Sequence, residues 1–277
     1  MGESGERRSD MEERVSLEVR DAVAHVTLTR ADKYNGVDLD MLEALVRTAA
    51  KIGEDRGIRA VIVGGEGKAF CAGLDFATVG KEPLRVLRSF LTLPRQSTNL
   101  FQKAIWCWRE LPVPVLAVTH GYCYGAGMQL ALAADFRFTT PDCEFSIMEA
   151  KWGLIPDMTG TVTLRELLPM DVAMRLTMTG EAFDGLRAKE LGLVTEVAED
   201  PLAAAEKLVA ELVTRSPDSV AATKALFHRT RHVSPQEAFG VERRIQRKLL
   251  MGRNHKIARK ANLAKQPPRF AERGFDG

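Results

Sequence analysis

A chain of 277 residues is near the upper size for one hydrophobic core, so one large domain with an appendage is expected rather than two equal ones. With 45% hydrophobic and 27% charged residues and a formal net charge of +2, the chain carries no general field for nucleic acid or membrane. No apolar run approaches the roughly 20 residues that span a bilayer, and the four cysteines, spaced by 36, 16 and 20 residues, fit neither zinc spacing nor a dense disulfide framework. Reduced thiols, no metal and a cytoplasmic location are the expectation.

Residues 1–14 mix Arg7, Arg8 and Arg14 with five acids, unlike an acid-poor transit peptide, and are expected to form a disordered leader. Val15 to Val19 and Ala22 to Leu28 read as a hairpin turning at Arg20 and Asp21, because β-branched residues recur with partial alternation. Asp38 can cap a helix to about Ile52, with Leu39, Leu42, Leu45, Val46 and Ala49 on one face. A buried strand, Ala60 to Val63, empties into a small-residue loop, Gly64 to Asp75. An uncertain helical stretch and a stronger helix, Thr98 to Glu110, follow. The plan repeats: strand Val115 to Val118, a loop from His120 to Gly127, and a helix from Ala126 to Ala134. A third pass has strands at Arg137 to Thr139 and near Glu144 to Ile147, a bent loop from Glu149 to Asp157, and a helix from Thr161 to Leu168.

After Gly180 the pattern turns helical: Asp184 to Leu191, Pro201 to Thr214, Ser219 to Arg231, Pro235 to Met251 and a last basic helix, interrupted by a strand at Val194 to Val197. The organisation expected is an α/β core over residues 15–200 and a helical region over 201–277 that packs on a partner subunit. From Arg253 to Arg273 eight basic side chains face one acid, Glu272, which fits a solvated tail or a contact with an anionic ligand or neighbouring subunit. With Phe270 as the lone aromatic there, nucleic-acid binding is disfavoured.

Two loops could hold a developing oxyanion. Small residues at Ala72 and Gly73 let a ligand approach the backbone after the first buried strand. Gly125-Ala126-Gly127 opens a helix, where unpaired N–H groups and the helix dipole favour negative charge. One donor from each loop would make a two-point oxyanion hole. Glu149 and Asp157, eight residues apart on one bent loop, can divide acid and base work, whereas the amide of Gln129 can hydrogen-bond but cannot remove a proton. A helix cap is the alternative for Asp157. Gly64 to Ala69 lacks the full phosphate-loop spacing and its hydroxyl. His120 is expected to hydrogen-bond within its loop, and Trp106 and Trp108 to pack in the core or an interface. Leu84, Val86, Leu87, Phe90 and Leu91 could line an apolar pocket.

Ala-Phe-Cys-Ala-Gly-Leu-Asp (69–75) and Gly-Tyr-Cys-Tyr-Gly-Ala-Gly (121–127), in that order, resemble the two signature loops of the crotonase family, the enoyl-CoA hydratases and isomerases. The resemblance covers about residues 15 to 265. It implies a crotonase-like α/β spiral of strand-strand-helix turns with a helical C-terminal region, assembly as a homotrimer or dimer of trimers, and an acyl-CoA substrate with no cofactor beyond its coenzyme A. It implies thioester-oxygen donors at Ala72 and Ala126, a coenzyme A site lined by Gly73, Leu74 and Asp75, and Lys33 near the nucleotide.

Glu149 falls where the hydratases carry one catalytic glutamate, and Gln129 replaces the other. With Asp157, Glu149 resembles the acid–base pair of the dienoyl-CoA isomerase branch, which usually carries a third acid at position 129. Double-bond isomerisation by Glu149 and Asp157 is therefore expected, with Gln129 positioning acyl chain or water. Hydration by Glu149 with water held by Gln129 is the runner-up, and acyl-CoA binding without turnover the reading of another class.

Overall fold

The computed structural model describes residues 14–92 and 96–276, so the expected leader lies, apart from Arg14, outside the described residues. In chain order the strands are β1 (Val15–Arg20), β2 (Val23–Leu28), β3 (Ala60–Gly65), β4 (Val115–Thr119), β5 (Tyr122–Tyr124), β6 (Phe136–Thr139), β7 (Glu144–Ser146), β8 (Ala182–Phe183) and β9 (Glu196–Val197). The hairpin of β1 and β2 pairs Arg20 with Val23, so the turn is Asp21-Ala22, one residue later than expected. Both turn residues have positive φ, 49° and 64°, which suits the twist of a two-residue hairpin.

The main sheet has the order β1-β2-β3-β4-β6-β9, parallel from β2 onward, and β5-β7-β8 form a second, smaller sheet. Period-two alternation divides the main sheet's faces. Val61, Val63, Val115 and Ala117 join the large core under α1 (Leu39–Glu54), while Ile62, Leu116 and Val118 face Ala205 and Val209. The cap of α1 is the expected one, the Asp38 carboxylate accepting the Met41 N–H at 2.8 Å.

The uncertain stretch resolves into α2 (Phe76–Val79) and α3 (Pro83–Phe90), followed by α4 (Leu100–Glu110) and α5 (Ala126–Ala133). After α6 (Gly160–Leu167) comes α7 (Met170–Thr179), an element not among those expected from the sequence. Its signals were present: Pro169 at the start and Gly180 in the left-handed conformation at the end. The chain then forms α8 (Gly185–Glu190), α9 (Pro201–Val213), α10 (Pro217–Thr230), α11 (Pro235–Met251) and α12 (Arg253–Leu263). Residues Ala205 and Val209 belong to α9, which packs on the main sheet, whereas α10 and α11 form a separate small core with Phe275. The basic stretch is not wholly solvated: Arg273 is buried, and the Asp218 carboxylate accepts the N–H groups of Gly274 and Phe275 at 2.6 and 3.0 Å. Among the described residues, no helix is long and apolar enough to cross a membrane.

Candidate active site

β3 and β4 are parallel neighbours, so their following loops emerge together at the carboxyl ends of the strands, where open α/β sheets place ligands. The first loop is held on both sides. Toward β5, the Cys71 N–H donates to the Tyr122 carbonyl and the Cys71 carbonyl accepts from Tyr124, both at 2.9 Å. Toward Val37, Leu74 forms a parallel bridge in which the Val37 N–H donates to Gly73 (2.8 Å) and the Asp75 N–H to Val37 (2.9 Å). The loops touch because position 127 is glycine: a Cβ there would stand 2.5 Å from the Cys71 Cβ.

This stitching corrects the expected donor on the first loop. The Ala72 N–H is already spent, donating to the Tyr34 carbonyl at 2.9 Å. In a parallel bridge the residue between the two bonded peptides turns its own N–H to the other side, and at Leu74 that N–H has no hydrogen-bond acceptor among the described residues. Ala126 is the first residue of α5, so its N–H has no acceptor within the helix. Leu74 and Ala126 line one cavity.

Gln129 lies one turn into α5 and is 2% exposed. Its Oε1 accepts the N–H groups of Met158 and Gly160, both at 2.9 Å, and its Nε2 donates to Glu149 Oε1 at 2.7 Å. Gln129 therefore caps α6, whose N-cap residue Thr159 sits at φ 75° and makes no side-chain cap. The capping alternative for Asp157 falls away, and so does much of the freedom expected of Gln129: one amide hydrogen is left for chain or water.

Glu149 sits in a 3-10 turn, Met148–Trp152, with its Oε2 buried and unpartnered. A Cβ at Gly125 would stand 3.4 Å from its carboxylate, which places that group against the turn leading into Ala126. Burial pushes the Glu149 carboxyl above its ordinary range and the neighbouring Asp157 charge adds to this, against the Gln129 hydrogen bond. Burial among apolar neighbours raises Asp157 as well, although its side chain reaches solvent and is partly screened.

Both carboxyls line the same cavity of about 600 Å³ as Leu74 and Ala126. Its wall is apolar. The Phe76 ring lies tilted against Trp152 with centroids 4.5 Å apart, and Phe90 against Phe101 at 4.7 Å. Among the described residues, no lysine, arginine, histidine or hydroxyl side chain lines it. Of the five pocket candidates, Val86 and Phe90 belong to the lining, whereas Leu84, Leu87 and Leu91 are exposed outside it.

Other expected residues are placed differently. Lys33 is exposed in a 3-10 turn, Ala31–Lys33, and lies outside the cavity lining, as do Gly73 and Asp75. The Asp75 carboxylate is committed elsewhere, accepting from Thr78 N and Oγ1 at 3.0 and 2.7 Å and pairing with Arg30 at 2.8 Å. Partial burial opposes its ionisation, yet these partners hold the carboxyl below its ordinary range. His120 bonds the Gly67 carbonyl of the first loop instead of its own loop. The phosphate-loop look-alike is closed by Asn35, whose amide donates to the Glu66 and Ala69 carbonyls. Trp108 is buried and Trp106 half-buried, its Nε1 on Glu110.

The model of the family described as enoyl-CoA hydratase/isomerase matches residues 18–273. The chain belongs to that family, which is the crotonase family of enzymes. Its described fold agrees with that of an enoyl-CoA hydratase from Mycobacterium tuberculosis H37Rv, at TM-score 0.82 and 30% identity over 94% of this chain and 99% of that one. Among named relatives, a peroxisomal Delta(3,5)-Delta(2,4)-dienoyl-CoA isomerase of Arabidopsis thaliana is 28% identical over 91% of this chain and 93% of its own. An (E)-benzylidenesuccinyl-CoA hydratase of Thauera aromatica is 32% identical over 76% of this chain and 80% of its own.

Proposed function

We propose that this enzyme isomerises an unsaturated acyl-CoA thioester by removing a proton from one acyl carbon and returning one to another. The observation that carries the reading is that two carboxyls of raised pKa share a cavity with two unpaired backbone donors, while the amide at position 129 is tied to the protein. Glu149, its Oε2 unpartnered, takes the first proton. The electron pair moves onto the thioester oxygen, where the N–H groups of Leu74 and Ala126 stabilise it, and Asp157 supplies the returning proton as the enolate collapses. The substrate gains and loses no atom, and exchange with solvent then removes the proton from Glu149 and restores one to Asp157. A hydrocarbon acyl chain fits the wall of described residues, where a second carboxylate would face Glu149 and Asp157.

Hydration is the second reading, because one relative is named a hydratase and another, 31% identical, a carnitinyl-CoA dehydratase. It would leave Glu149 to serve both proton steps on a water held by the remaining Gln129 hydrogen.

Asp157→Asn separates the half-steps. On octadienoyl-CoA whose double bonds lie out of conjugation with the thioester, isomerisation is expected to fall about 100-fold, while exchange of the substrate proton with deuterated water through Glu149 survives. Isomerisation at the wild-type rate would overturn the reading. The acid limb of that exchange also reports on Glu149, which must be ionised to act. Burial keeps the limb above the ordinary carboxylate range.

A further inference from the structure

We infer that Arg30 is a positioning residue for the oxyanion donor at Leu74; the inference rests on that donor assignment. Arg30 is 7% exposed although it lies in neither signature loop and is not one of the residues that line the cavity. Its guanidinium gathers groups from both strands of the bridge that aims the Leu74 N–H. On the Val37 side, Nη1 donates to the Gly36 carbonyl at 2.8 Å and Nε stands 3.7 Å from Asp38, the cap of α1. On the Leu74 side, Nη1 pairs with Asp75 at 2.8 Å and Nη2 reaches the Thr78 hydroxyl at 3.4 Å.

The residues clamped are Gly36 and Asp75, and the bridge between Val37 and Leu74 lies directly beside them. Asp75 also caps α2, so the same ion pair fixes the start of the helix that carries Phe76 and Val79 into the cavity wall. The flat, five-donor fork spreads its contacts over Nη1, Nη2 and Nε in a fixed geometry, whereas an ammonium gathers three donors on one centre and cannot span Gly36, Asp38, Asp75 and Thr78 together. The carboxylate at position 75 is thereby assigned to holding the loop.

Arg30→Lys keeps the charge and loses the fork. A displacement well under an ångström at the donor is expected to lower kcat about 10-fold, with KM and the affinity for unreactive octanoyl-CoA changed by less than about 2-fold. Asp75→Asn, which retains an acceptor for the Thr78 N–H and drops the ion pair, carries the same prediction, so unfolding of the lysine variant does not leave the question open. The decisive measurement places Arg30→Lys in a full chain whose Leu74 amide is replaced by an ester, which deletes the donor. There the lysine is expected to add no further loss in kcat, because its effect passes through that N–H. Wild-type kcat in both folded single variants, or an undiminished 10-fold loss in the ester background, would overturn the inference. An ester with full kcat would instead remove the Leu74 assignment, and with it the role of Arg30.

Discussion

Glu149→Gln is expected to lower kcat for isomerisation about 1,000-fold, roughly 4 kcal/mol of barrier. The substitution is nearly isosteric, and a glutamine Oε1 at 149 can still accept from Gln129, so the link to α6 is kept and proton transfer alone is removed. Stability gives the control. Because the Glu149 carboxyl is raised by burial, the folded chain holds its proton at pH values where the unfolded chain has lost it. Stability therefore falls as pH rises from the ordinary carboxylate value through the raised one. Glu149→Gln removes that slope, so thermal unfolding at neutral pH is expected at an equal or higher temperature while turnover collapses. A variant within about 10-fold of wild type would show that this carboxylate is not the base.

Ala126→Pro is expected to cost about 100- to 1,000-fold in kcat, the range for loss of one oxyanion donor. Proline is tolerated at the first residue of a helix, and the Ala126 N–H has no acceptor within α5, so no helical hydrogen bond is lost. Far-ultraviolet circular dichroism should be unchanged. Because the ring also fills space beside the cavity, a backbone ester at the same position is the cleaner partner, and both should show the same loss at saturating substrate. A loss below about 10-fold in the ester would place the thioester oxygen elsewhere.

Much of the site was legible in the sequence because its signals are local. Small residues after an apolar strand mark the first loop, Gly125 and Gly127 mark the start of α5, and the spacing of Glu149 and Asp157 sets them on one bent loop. The donor on the first loop was not legible. Whether Ala72 or Leu74 points its N–H at the ligand depends on pairing with Tyr34 and Val37, more than 30 residues upstream. Gln129 was legible as a departure from two-glutamate chemistry, yet its partners at Met158 and Gly160 lie just beyond the bent loop of Glu149 and Asp157. An amide suits that post: a carboxylate there would face Glu149 at hydrogen-bonding distance, and one of the two would have to stay protonated. Asp75 shows the opposite limit. Family resemblance places it beside the ligand, while a buried arginine 45 residues earlier takes its charge.

The proposed reaction moves protons on a thioester enolate and adds nothing. Mass spectrometry of an octadienoyl-CoA incubated with the full chain in deuterated water tests it most directly. The expected product is a conjugated isomer that has gained deuterium on an acyl carbon and no oxygen. A product heavier by one molecule of water, formed as the main species, would contradict it.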